Sequence, residues 1–304
     1  MRSYYEKIDN NDILLEKANE FAKMALINFY EKMGLNFNLC MEVNNIDPLI
    51  DETFSVGGVK GDGHYEATED IIVIDCDYLT KMSKKIIDAA DALKEKLEKN
   101  IIINVAETIV HERIHALRRI RTPKNIIPID DYNSMLRNSH VREFGVSFDY
   151  VIPCDVVFEN HSFITDKKDL LEILSQQEAL EDAVTEALAQ IIIYNAIPKF
   201  SNYSIKQLAL KVMNDDNDCV VAGAKIIDVM DDDMIKWFIT TRFVENQYKD
   251  LFYEMFGENY YILLSDIGEI DKAVLSGDFP PKGILEEFDE ILLKHKSRSN
   301  KNTR

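Results

Sequence analysis

The chain has 304 residues, 46% of them hydrophobic, enough to bury a substantial core and too apolar for a disordered polypeptide. A formal net charge of −19 repels phosphate backbones and anionic membrane surfaces, so neither nucleic acid nor a membrane is expected as a partner. No apolar run reaches the roughly 20 residues of a membrane span, and Met1 to Asp12 is charged without an apolar leader core, so a cytoplasmic chain is expected, although leaderless export would leave no trace.

In chain order, Asp12 to Met33 reads as an amphipathic helix. Ile13, Leu14, Ala18, Phe21, Ala22, Met24, Ala25 and Phe29 lie on one side, and Gly34 stops it. Asn36 to Val43 alternates Phe37, Leu39 and Met41 with mostly polar neighbours, which predicts a strand. Phe54 to Tyr65 carries Gly57, Gly58, Gly61 and Gly63. It lacks the Lys-Ser/Thr ending of a phosphate loop and reads as a hairpin turn, with Ile71 to Tyr78 as a partner or neighbouring strand.

Lys81 to Glu98 and Ile101 to Ile120 follow as two helices, the second closed by Thr122-Pro123. Residues 121–165 contain Pro123, Pro128 and Pro153 and read as a loop-rich insertion with short strands, for instance around Ser147 to Phe158. A long helix capped by Thr165 or Asp166 runs to about Ala196. Ile205 to Ala273 is almost wholly helical, and a loop over Gly277 to Gly283 precedes a last helix to about Lys294. The basic stretch from Lys294 to Arg304 reads as a frayed, solvated tail. The expected fold is α+β and predominantly helical, with a small N-terminal β-sheet packed on a motif-bearing helix and a helical C-terminal part. The expected divisions are 1–125, 126–165 and 166–304.

Cys40, Cys76, Cys154 and Cys219 are scattered with no Cys-x-x-Cys pair, which fits reduced thiols better than disulfides or a thiolate metal site. Asp215-Asp216-Asn217-Asp218 hints at a calcium loop, but Val220 stands where that loop needs glycine and the downstream glutamate is missing.

The chemistry concentrates in His111-Glu112-Arg113-Ile114-His115. On a helix, residues four apart share a face, so two imidazoles can reach one cation while Glu112, one step around, takes a proton from water. On a helical wheel His111, His115, Asn104, Glu107, Thr108 and Arg118 share a side. Ile102, Val105, Ala106, Ile109, Ala116, Leu117 and Ile120 lie opposite. A hydrolytic zinc site takes three protein ligands and keeps one position open. No histidine follows at position 121, so the third ligand must come from elsewhere. Glu178, Asp182 and Glu186 form an acidic stripe at four-residue spacing on the long downstream helix. Any of these, Glu181, or a loop histidine such as His140 or His161 can supply it.

The pair formed by this motif and Glu181-Asp182-Ala183-Val184-Thr185-Glu186 resembles the gluzincin branch of the zincin metallopeptidases, including thermolysin-like and anthrax lethal factor-like members. Laid on the family's second-helix pattern, Asp182 takes the zinc-ligand place and Glu186 the supporting place. The chain departs from the family in offering an aspartate where a glutamate is usual. The resemblance covers the two helices and, in outline, the preceding hairpin and strand. It implies a zinc peptidase acting on a peptide or protein, with Zn2+ held by His111, His115 and Asp182 and Glu112 as general base. It also implies that Phe54 to Asp75 supplies an edge for extended peptide. Tyr132, Tyr150 and Tyr194 are candidates to stabilise an oxyanion, and Glu107 to orient His111. The rival expectations are a non-catalytic helical interaction protein on the same scaffold and a zinc hydrolase of a non-peptide bond.

Overall fold

A computed structural model describes residues 2–35, 37–51, 62–66, 71–118, 127–128, 141–143, 150–153, 167–240 and 247–302. The fold is predominantly helical α+β with a small mixed sheet, and it divides into two compact units, residues 1–117 with 189–203 and residues 118–188 with 204–304.

The first unit opens with α1 (Arg2–Met33), whose Ala18, Ala22, Ala25, Leu26, Phe29 and Tyr30 form its buried stripe. Ile13 and Met24, assigned to that stripe by periodicity, are half exposed at its margins. Gly34, at φ 64°, ends the helix, with its own N–H donating to Glu31 O and that of Leu35 to Tyr30 O. This is the paired closure that a left-handed residue permits.

The strand expected over Asn36 to Val43 is instead helix α2 (Phe37–Asn44). Alternation over so few residues does not separate the two periods, and Leu, Met and Glu favour helix. The next segment holds a strand that the sequence did not announce. β1 (Pro48–Asp51) pairs in parallel with β3 (Ile71–Asp75), and β2 (Gly63–Glu66) pairs with β3 antiparallel, giving the order β1-β3-β2. Most of the glycine-rich segment, residues 52–61, lies outside the described residues.

β3 ends at Asp75, short of the expected Tyr78, because the Asp75 carboxylate accepts the Tyr78 N–H at 2.7 Å and caps α3 (Cys76–Ile87). The break expected near residue 100 comes at 88–90 instead, with no Gly or Pro to mark it. The chain then continues as one helix, α4 (Asp91–Arg118). Gly63 lets β2 approach α4: a Cβ there would lie 3.0 Å from the Thr108 methyl and 2.9 Å from Ile74 Cδ1.

In the second unit, β4 (Ile127–Pro128), β5 (Val141–Glu143) and β6 (Tyr150–Pro153) form an antiparallel sheet in the order β4-β6-β5. The long helix α5 (Lys167–Ala196) belongs to this unit up to Leu188, and its last turns belong to the first. There follow α6 (Ile205–Val212), α7 (Asp218–Val229), α8 (Asp232–Thr240), α9 (Gln247–Phe256), α10 (Asn259–Ser276) and α11 (Lys282–Asn302). The last of these carries the helix past Lys294, where a frayed tail was expected. No helix among the described residues is long and apolar enough to cross a membrane.

Candidate metal centre

The C-terminal half of α4 is enclosed. Val105, Ala106, Ile109, Val110, Ile114, Ala116 and Leu117 are buried, and so are Glu112, Arg113 and His115. The polar stripe drawn on the wheel is therefore no solvent face around the motif. A helix covered on all sides belongs inside the core, and polar groups there persist only with partners or a ligand.

Within that enclosure the two histidines converge. His111 Nε2 and His115 Nε2 stand 2.8 Å apart, the ring centroids are 4.4 Å apart and the planes cross at 78°. The Glu112 carboxylate comes within 4.0 Å of His111 Nε2, and Glu112 and His111 are both largely buried. The one-turn spacing thus does what helix geometry requires of it: both imidazoles point one nitrogen at the same volume, with a carboxylate beside it.

Asp182 lies on α5, about two turns before Ala189. Asp182, the expected third ligand, belongs to the second unit, whereas both histidines belong to the first. Asp182 is exposed, Glu186 one turn on is half-buried, and Glu181 is buried. The Glu178 side chain, Tyr132, His140, His161 and the Tyr150 side chain lie outside the described residues. Tyr194 packs its ring edge-on against Phe200, with centroids 5.6 Å apart. Glu107 is half-buried on α4.

The surroundings of Asp182 are negative. The Cys219 Sγ lies 3.8 Å from Asp271 Oδ1, in hydrogen-bond contact. Burial pushes that thiol up to about 12, and Asp271, Asp182 and Asp218 push the same way. Asp271 is itself raised, first by burial and then by Asp182. Carboxylates crowded in this manner favour a counter-cation.

Sequence reasoning missed Arg113. It sits between Glu112 and Ile114 with no exposed surface. Its Nη2 donates to Asn19 Oδ1 at 2.6 Å and to Ile46 O at 3.0 Å, and burial brings its guanidinium down to about 10. The one available signal was a cation whose neighbours on its own helix face, Ile109, Val110, Ala116 and Leu117, are apolar.

No family model, curated protein or solved structure matches the chain. The likeness to gluzincins therefore stands on the motif residues alone.

Proposed function

We propose that the chain is a zinc-dependent metallopeptidase in which His111, His115 and Asp182 hold the metal and Glu112 acts as general base. The observation that carries this reading is the pair of imidazole nitrogens facing each other at 2.8 Å beside the buried Glu112 carboxylate. Two imidazoles and a carboxylate are a donor set that zinc accepts, and three protein ligands leave a fourth position for chemistry.

When bound there, zinc supplies a Lewis acid for a carbonyl oxygen and an environment that acidifies water toward a pKa of about 7. Glu112, buried beside His111, accepts the proton of the attacking water and passes it to the leaving nitrogen. The enclosure of α4 limits bulk water around Glu112 and so strengthens the electrostatic interactions it makes.

The test combines metal analysis with a peptide library read by mass spectrometry. Purified chain is expected to hold about one zinc, which His111→Ala or His115→Ala removes. Glu112→Gln is expected to keep the zinc and to lose turnover by roughly 10²–10⁴-fold. A Glu112→Gln chain that cleaves as fast as wild type, or a wild-type chain that takes up no metal, overturns the proposal.

A further inference from the structure

We infer that Arg113 is a positioning residue for the metal-binding pair, tying the motif helix in register to α1 and to the turn that enters β1. The inference rests on the proposed metal site and goes beyond it, since no role in holding that site belongs to the third residue of the motif.

A guanidinium with no exposed surface has lost its water, and a methionine or leucine of similar size would fill the space more cheaply. Among the described residues the charge has no carboxylate in hydrogen-bond contact. One nitrogen, Nη2, makes both bonds, while Nε and Nη1 have none. The bonds reach two separate elements: Asn19 in the middle of α1, and the Ile46 carbonyl two residues before β1. Asn19 passes the link on, its Nδ2 donating to Asp47 Oδ1 at 3.0 Å. Asp47 also accepts from Lys23 Nζ at 2.8 Å, and its carboxyl is held below the usual range by those two hydrogen bonds, that of Lys23 first. Asn44 Nδ2 closes the chain by donating to Lys23 O at 3.2 Å.

The consequence is geometric. The other buried side chains on this half of α4, apart from Glu112 and His115, are apolar, and apolar contacts are non-directional, so a helix held by them alone can slide or rotate by a fraction of a residue. Two bonds from one nitrogen to two elements do not permit that. Arg113 is two residues from both His111 and His115, on the far side of the helix, so any rotation that it resists would swing both imidazoles together. Groups that orient ligands in this way commonly govern metal affinity even though they never touch the metal.

The experiment titrates wild-type and variant chains with zinc against a chromophoric chelator, and records each unfolding midpoint in excess chelator. Arg113→Met is expected to weaken zinc binding by roughly tenfold or more, the usual cost of losing an orienting group. Arg113→Lys, whose ammonium can donate to the same two oxygens, is expected to recover most of the affinity. Asn19→Ala is expected to weaken it several-fold, and Asn19→Asp, which keeps an acceptor for the guanidinium but loses the bond to Asp47, to weaken it less. If Arg113→Met does not fold, the Asn19 pair decides the matter by the same criterion. A residue that only holds the fold would lower the chelator-bound midpoint and leave the zinc affinity of the folded chain unchanged, and that result overturns the inference while the metal site stands. A wild-type chain that binds no zinc overturns the metal site and this inference together.

Discussion

The two units are built by different means. The first is tied by directional polar contacts between distant segments. Asn11 Nδ2 donates to Thr80 Oγ1 at 2.9 Å and its Oδ1 accepts from Ser83 Oγ at 2.8 Å, joining α1 to α3. Lys32 Nζ reaches Asn195 Oδ1 and the Tyr203 carbonyl, both at 2.6 Å, and Arg113 reaches α1 and the approach to β1. The second unit has such bonds too, for instance Lys225 Nζ to Asp289 Oδ1 at 2.6 Å and Lys296 Nζ to Asp228 Oδ2 at 2.7 Å, but adds a close approach of helix backbones. Gly223 on α7 lies so near α5 that a Cβ would collide with the Ala183 carbonyl oxygen and stand 2.5 Å from its carbon. Gly268 on α10 leaves room instead for the Gln176 side chain. Its one buried carboxylic acid among the described residues of α6 to α11, Asp266, has an Oδ2 with no partner and the Glu287 charge nearby. Directional bonds fix register, which a helix carrying converging ligands needs. Small-residue packing fixes distance, which suffices for a scaffold.

The sharpest way to break this contrast is at Gly223. Gly223→Ala places a methyl against backbone rather than against a flexible side chain, so the two helices must separate. Overpacking of this kind costs about 3 kcal/mol at the upper end of its usual range. The expected result in thermal and urea unfolding is a large loss of stability, and an unchanged midpoint would show that α5 and α7 are not held at that distance. Among the described residues, no glycine of the first unit meets another element's backbone as closely: Gly63 faces side-chain atoms and a carbonyl of its own sheet.

Asp266 tests the other half of the contrast, since its removal should help. Burial first and the Glu287 charge second raise its carboxyl above the ordinary aspartate range to about 6. A carboxyl whose folded pKa is raised binds its proton more tightly when folded. Its cost is therefore absent below about pH 4, grows as pH rises through the window up to 6, and is fully present above it. Asp266→Asn removes the charge, although a buried amide remains. It is expected to stabilise the chain by about 1–2 kcal/mol at pH 7, with the gain disappearing below pH 4. A unfolding midpoint that responds to pH identically in both chains would place a partner beside Asp266.

These contrasts explain what the sequence disclosed. α1, α5 and the run from α6 to α10 were legible because their apolar periods are long and their ends carry glycine, proline or capping residues such as the Ser204–Gln207 box. The His111–His115 pair was legible because a four-residue spacing on a helix dictates the convergence by itself. α2 was misread because eight residues sample too few turns to separate a period of 2 from one of 3.6, and β1 was missed because four residues beginning with proline carry almost no pattern. The break at 88–90 has no breaker residue. The bonds that Arg113 makes to Asn19 and Ile46 depend on which distant segment arrives opposite, and no local pattern encodes that.

Asn11 allows the polar ties of the first unit to be measured one at a time. It is buried and makes two hydrogen bonds to α3, one as donor and one as acceptor, so Asn11→Ala strands both Thr80 Oγ1 and Ser83 Oγ. Ser83 is buried and cannot turn freely to water, whereas Thr80 is partly exposed and can. The loss should therefore come mainly from the Ser83 bond, about 1 kcal/mol for a neutral pair with one group left unsatisfied. Ser83→Ala alone should cost a similar amount, and the double variant little more than either, giving a coupling of roughly 1 kcal/mol in a double-mutant cycle. Strictly additive losses would mean that the two side chains act on the fold through separate contacts, and that the tie between α1 and α3 is apolar after all.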